Sequence, residues 1–332
     1  MSRLTLQPGN AQWIGTRPEQ QDAFGFAGCS AQGANPPGGV LVVLADGMGG
    51  LREGRAASQL AVKTMLETYA AQPPATPVPE ALALALRAAN RAVYALAETT
   101  AGVGQVGTTL VAAAVRDAQL FWIGVGDSRL YRYRAADGSL TPCTEDHTLA
   151  NELWPQVVAG TLDADDLASH PDRDALTSFL GLAEIPLVDA SCRPLTLQPG
   201  DRLLLCSDGV DGVLSRDALK RPLAAAPQHA AETLIAALRE RALTHQDNAT
   251  VAVLACEASR ETSSMASLTS RPSRGVRVAV LSAVLLLTLG AAAWFGLSGW
   301  WDRPPEDVPS SVTRPLPPPA EDQPGVPAPE TT

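Results

Sequence analysis

Lysine is nearly missing from this chain. Only Lys63 and Lys220 occur among 25 cationic side chains, against 35 acids and a net charge of −10. A surface of that sign repels a phosphate backbone, which argues against nucleic acid as a partner. The five cysteines (Cys29, Cys143, Cys192, Cys206, Cys256) are odd in number and have no CxxC spacing. That excludes a zinc ribbon and a disulfide scaffold and leaves reduced thiols of a cytosolic domain. No GxxxxGK[ST] stretch occurs, so a P-loop nucleotide site is excluded by motif. The opening MSRLTLQPGNAQWIG has no apolar run of leader type, and a secretory signal is not expected.

Apolar side chains make up 45% of the 332 residues, enough for a sizeable core. Residues 1–256 alternate short apolar runs with amphipathic stretches. Strands are expected at Trp13–Thr16, Phe24–Ala27, Val40–Ala45, Thr108–Val115, Leu120–Val125, Arg129–Tyr133, Arg202–Cys206 and Thr250–Ala255, from runs bounded by turn residues. Helices fit Arg55–Ala71, Glu80–Glu98, Asp217–Ala225 and His229–Leu243, the first two separated by AQPPATPVP. Strands in runs with helices in pairs suit a layered α+β fold with antiparallel sheets better than regular βαβ winding. Residues 151–183 are polar and weakly periodic, and read as a surface excursion.

The remainder differs in kind. Residues 257–275 read as a Ser/Thr/Arg linker. Val278–Trp301 is uncharged over 24 residues and, as a helix, spans roughly 36 Å, enough to cross a hydrocarbon layer of about 30 Å. A transmembrane helix is therefore expected over 276–301. Arg271, Arg274 and Arg277 before it place residues 1–275 in the cytoplasm and the tail outside the inner membrane. Residues 302–332 hold ten prolines and read as an extended tail.

One pattern inside the first 256 residues needs a purpose. GVLVVLADGMGG runs a dry strand straight into Asp46; LFWIGVGDS does the same at Asp127 and DRLLLCSDGV at Asp208. Asp22 in TRPEQQDAF and Asp247 in HQDNATVAVL each stand just before a strand. Singly, an Asp-Gly is a turn. Together, carboxylates among glycines and small residues, with no histidine or cysteine beside them, suit Mg²⁺ or Mn²⁺ rather than zinc.

In order along the chain stand TRPEQQDAF, VLADGMGG, VGTTLVAAAV, FWIGVGDSRLYRYR, EDHTLANEL, LLLCSDGVDGVL and QDNATVAVL. This series resembles the bacterial branch of the protein phosphatase 2C (PPM) family, the metal-dependent serine/threonine phosphatases, over about residues 10–256. The resemblance implies an α-β-β-α sandwich of two antiparallel sheets flanked by helix pairs, with a metal site at one end. It implies that Asp46 bridges two metals and that the Gly47 carbonyl ligates one of them. Asp208 and Asp247 ligate the other, and Asp22 acts largely through bound water. Asp127 holds a third, weaker ion with Asp208, and Arg17 grips the substrate phosphate. A metal-activated water then attacks phosphorus in line with the leaving Ser or Thr oxygen. In agreement, no cysteine has the arginine six residues later that a cysteine-dependent phosphatase uses. The implied partners are phosphoproteins and a serine/threonine kinase that the enzyme opposes.

The chain departs from the family pattern at three places. Met48 stands where the eukaryotic branch has a histidine proposed as general acid. His147 is the candidate substitute, against the plainer reading that it packs near a helix start. In the excursion, which corresponds to the family's mobile flap, Ser178 replaces a usual arginine, and EQQD replaces NQD or NED near Asp22. Two other functional readings remain: a silent, membrane-tethered phosphoprotein-binding domain, and a proline-rich tail that docks an extracytoplasmic partner. All five metal aspartates are present, which favours the enzyme.

Overall fold

The computed structural model describes residues 4–29, 36, 38–49, 51–100 and 102–259. They fall within one unit, Met1–Glu261. The chain begins with strands β1 (Leu4–Trp13), β2 (Asp22–Ala27) and β3 (Val40–Met48), then two long helices, α1 (Leu51–Ala70) and α2 (Val78–Thr99). Strands β4 (Gly107–Thr108), β5 (Leu110–Arg116), β6 (Gln119–Val125), β7 (Arg129–Arg134) and β8 (Ser139–Pro142) follow. Helices α3 (Leu149–Val158) and α4 (Ala164–Ala168) precede β9 (Asp189–Ala190), β10 (Leu195–Thr196) and β11 (Arg202–Cys206). Helices α5 (Asp208–Asp211), α6 (Arg216–Lys220) and α7 (Pro227–Glu240) lead into β12 (Ala249–Ala258).

One sheet has the order β1-β12-β11-β7-β8 and the other β10-β6-β5-β3-β2, with β4 on β3 and β9 on β6; every pairing is antiparallel. Strand β3 shows why its sequence is apolar throughout. Val40, Val42 and Leu44 face the other sheet, while Leu41, Val43 and Ala45 face α1 and α2, and all six are fully buried. Alternation of side chains puts half on each face, so a strand covered on both faces cannot alternate with polar residues. Strand β12 repeats this, with Ala252, Leu254 and Cys256 between the sheets and Ala249, Val251 and Val253 under α7. The result is the expected α+β sandwich of four layers, helices outside two antiparallel sheets.

The first expected strand is misplaced. The expected strand at Trp13–Thr16 is replaced by β1, which runs from Leu4 through Pro8, Gly9 and Asn10 and pairs with β12 over its whole length, while residues 14–16 lie beyond it. An edge strand tolerates proline. Gly9 is required there, because a Cβ would lie 2.2 Å from the Pro227 carbonyl carbon. The excursion over 151–183 is not irregular either. It carries most of α3 and all of α4, and its last part, Ser178 to Leu180, is buried core. The Ser178 hydroxyl donates to the Leu187 carbonyl at 2.7 Å and accepts from its N–H at 3.1 Å. The expected linker start at 257 is instead the end of β12. The expected membrane span at 276–301 and the proline-rich tail lie outside the described residues. Among the described residues no helix is long and apolar enough to cross a membrane.

Candidate active site

The site is the inter-sheet layer continued one pleat past its apolar part. On β3 the inward series Val40, Val42, Leu44 is followed by Asp46; on β2, Phe26 and Phe24 are followed by Asp22. Asp22 and Asp46 are direct cross-strand partners, so their side chains share a face. From the opposite sheet, Leu203 and Leu205 are succeeded by Ser207 along and just beyond β11, and Cys256, Leu254 and Ala252 by Thr250 on β12. The hydroxyls of Thr250 and Ser207 donate to Asp22 Oδ2 at 2.6 and 2.9 Å, and Gln12 Nε2 braces Thr250 at 2.9 Å. The other oxygen, Asp22 Oδ1, is buried with no hydrogen-bond partner among the described residues. An orphaned buried carboxylate oxygen is costly and calls for a cation or an ordered water.

Asp46 is fixed through its backbone. Its N–H donates to Thr109 Oγ1 at 2.9 Å, and its carbonyl accepts from the Thr109 N–H and the Thr108 hydroxyl, both at 2.8 Å. The two threonines of VGTTLV thus lock the strand that presents the carboxylate. Gly47 N–H donates to the Gln21 carbonyl at 3.2 Å, and a Cβ at Gly47 would lie 2.0 Å from the Gly54 carbonyl oxygen. Asp127 follows β6 through Gly126, whose φ of +96° suits glycine. Asp208 opens α5, and Asp247 stands two residues before β12.

All five aspartates meet here. The Asp46 carboxyl is pushed well above the usual carboxylate range by burial, then by the charges of Asp22, Asp208, Asp127 and Asp247. Burial raises Asp22 to about 6 against the pull of its two hydroxyl donors, and raises Asp127 to about 7 with help from Asp208 and Asp146. Asp208, which reaches solvent, is raised by partial desolvation and by Asp247. Like charges this close disfavour one another's ionisation. Arg17 is the cation beside them: its Nη2 donates to Asp247 Oδ2 at 2.6 Å, and its own pKa is raised by that bond. Among the described residues no three histidine, cysteine or acidic side chains are grouped closely enough, as they stand, to hold a metal ion. Asp247 spends an oxygen on Arg17 instead.

His147 does not face the carboxylates as an acid would. Its Nδ1 accepts from the Gly126 N–H at 3.1 Å, its backbone N–H donates to the Gly126 carbonyl at 3.0 Å, and burial holds its pKa down. It braces the turn that presents Asp127, close to the plainer of its two sequence readings. The sequence reading missed Ser207, Thr250, Thr108 and Thr109. It also missed a neighbouring network in which the Arg129 fork pairs bidentately with Asp146, with Nε at 2.8 Å from Oδ1. The same guanidinium reaches Asp211 Oδ2 at 2.8 Å, where the Tyr131 hydroxyl also donates at 3.0 Å.

The family model described as Protein phosphatase 2C matches residues 18–246. The serine/threonine phosphatase stp of Listeria monocytogenes is 34% identical over 177 residues, covering 52% of this chain and 68% of the relative. The solved serine/threonine phosphatase of S. agalactiae is 30% identical with a TM-score of 0.64, covering 75% of this chain and 99% of that one. The catalytic domain of serine/threonine protein phosphatase PstP, solved with two manganese ions, is 30% identical with a TM-score of 0.60, over 77% of this chain and 100% of that one. With carboxylates converging at one end of a four-layer sandwich, the chain belongs to the protein phosphatase 2C family and is a metal-dependent protein-serine/threonine phosphatase.

Proposed function

We propose that Asp46, the Gly47 carbonyl, Asp208 and Asp247 would together hold two divalent cations. Asp22 contributes chiefly through water, and Asp127 holds a third, weaker ion with Asp208. The observation that carries this reading is the meeting of five carboxyls beside Arg17, one of them with a buried oxygen that has no partner among the described residues. An all-oxygen donor set without histidine or cysteine suits Mn²⁺ or Mg²⁺ and not zinc. Such cations supply Lewis acidity there, acidifying water and offsetting the charge of phosphoryl oxygens.

The chain's own residues do the rest. Arg17, with 58% of its side chain exposed, turns its fork from Asp247 to the equatorial oxygens of a phosphoserine or phosphothreonine. Thr108 and Thr109 hold Asp46 against displacement as charge redistributes. Met48 offers no proton, and His147 is neutral with Nδ1 engaged, so water protonates the leaving oxygen.

Phosphate release from a phosphothreonine peptide by the full chain is expected with Mn²⁺ or Mg²⁺, lost with chelator and lost in Asp208→Asn. Release that survives chelation overturns the metal reading. Residues 276–301 anchor the enzyme in the inner membrane with its catalytic domain in the cytoplasm, opposing a serine/threonine kinase. The support is the uncharged 24-residue run and the arginines before it. A periplasmic-active reporter fused after Thr332 is expected to be active; a silent fusion reverses the orientation.

A further inference from the structure

We propose that Asn248 is a positioning residue that holds the loop of Arg17 in its phosphate-binding shape, an inference that rests on the role given to Arg17 above. Asn248 is 3% exposed and lies next to Asp247 on the approach to β12. Its Nδ2 donates to two carbonyls five residues apart, Ile14 at 2.9 Å and Glu19 at 3.1 Å. Its Oδ1 accepts from the Gln21 N–H at 2.7 Å. One amide thus gathers both ends of the segment between β1 and β2, and Arg17 sits at the middle of that arc.

The arc has a second fastening. Thr16 N–H and Oγ1 donate to the Gln246 carbonyl at 2.9 and 3.1 Å, and the Gln246 N–H returns to Thr16 Oγ1 at 3.0 Å. Between the fastenings, Gly15 adopts φ +66° with its back against the Asp247 carbonyl, where a Cβ would lie 2.4 Å away. The backbone is therefore fixed while the Arg17 side chain stays in water. A loop ordered beforehand spares substrate binding the entropy of ordering it.

Only asparagine or glutamine combines two amide donors with an acceptor, and only asparagine has this length. Aspartate would keep the Gln21 bond but face two carbonyl oxygens without a proton to give. The residue acts through Arg17, so its effect must depend on Arg17 being present.

The test is steady-state kinetics of the full chain on a phosphothreonine peptide at saturating Mn²⁺, as a double-mutant cycle between Asn248→Ala and Arg17→Ala. Asn248→Ala is expected to raise KM about tenfold while kcat changes less than about threefold. In the Arg17→Ala background its further effect on KM is expected to fall below about twofold. Amide exchange of residues 14–21 is expected to quicken in Asn248→Ala. Equal effects on KM in both backgrounds overturn the proposal and leave the reading of Arg17 intact. An unchanged KM in Arg17→Ala alone overturns the reading of Arg17 itself. Asn248→Asp and Thr16→Val provide the same cycle if Asn248→Ala does not fold, the first replacing the two donors by a carboxylate oxygen and the second removing the hydroxyl bonds of the other fastening.

Discussion

Two sets of arginine–aspartate contacts, one at the site and one in the network beside it, do opposite things. Arg129 is two-thirds buried, and its carboxylate partners Asp146 and Asp211 keep 15% and 3% of their side chains exposed. Its fork is filled by two carboxylates and the Tyr131 hydroxyl. Arg17 and Asp247 are 58% and 41% exposed and share one bond. The chemistry is identical, and what differs is the cost of leaving. A guanidinium in water gives up a carboxylate cheaply and can take a phosphate instead. One that neutralises a buried acid cannot move without stranding that acid. Frame and tool are separated here by burial and by how many partners each fork holds.

Removing the frame has the largest expected consequence. Arg129→Met leaves Asp211 buried without its cation and Asp146 without its fork, at a cost of roughly 3 kcal/mol, the lower end for a broken buried pair because a third of Arg129 meets water. For a domain of this size that lowers Tm by about 6–12 °C, read by thermal unfolding. A loss under about 2 °C would put Arg129 in the same class as Arg17 and end the distinction.

The next effect tests the carboxylates themselves. Asp22 at about 6, Asp127 at about 7 and Asp211 at about 6 lie above their ordinary value near 3.8. Between those limits the folded chain binds more protons than the unfolded one, so metal-free stability falls as pH rises from about 4 to 7. A bound divalent cation stabilises the ionised forms and reverses that slope. Saturating Mn²⁺ is expected to raise Tm more at pH 7.5 than at pH 5, with a gain of about 2–3 kcal/mol when the metal is near 100 times its Kd. Arg129→Met should steepen the metal-free slope, because Arg129 is the main influence holding Asp211 down. A flat metal-free profile would mean that these acids are not crowded in solution.

Smaller still is the loss of a hydroxyl at Asp22, an acid held by neutral donors rather than a cation. Thr250→Val keeps shape and deletes the 2.6 Å bond, leaving Ser207 as the remaining hydroxyl donor. The expected cost is about 1.5–2 kcal/mol, as for a bond to a charged group, together with a higher Mn²⁺ requirement. If stability falls and the Mn²⁺ requirement does not, Asp22 serves the frame alone.

What the sequence made legible follows the same division. The buried strands were readable because covering both faces of β3, β11 and β12 forces unbroken apolar runs. The five aspartates were readable because they interrupt those runs or stand at their ends. Ser207, Thr250 and the Thr108–Thr109 pair were not, because small hydroxyl residues in strands look like any polar face. Their meaning appears only when Ser207 and Asp22, 185 positions apart, meet across the two sheets. The Arg129–Asp146–Asp211 network was hidden for the same reason, although Arg129 and Asp211 lie within quoted motifs: nothing local says which acid an arginine will find. β1 was missed because Pro8 and Gly9 carry turn chemistry that an edge strand absorbs.

The smallest expected effect is also the sharpest. Arg17→Ala removes one exposed, monodentate pair, and Asp247 keeps solvent contact on 41% of its side chain. The change in stability should stay within about 0.5 kcal/mol, near 1–2 °C in Tm, and salt should reduce even that. Losing Arg17 also removes a positive charge that repels an incoming cation and frees the Asp247 oxygen it holds, so metal binding should tighten or stay level rather than weaken. The KM for a phosphopeptide should nevertheless rise, because the fork that leaves Asp247 cheaply is the one that meets the phosphate. If Arg17→Ala instead costs stability on the scale of Arg129→Met, Arg17 belongs to the frame, and the phosphate must be held by some other cation.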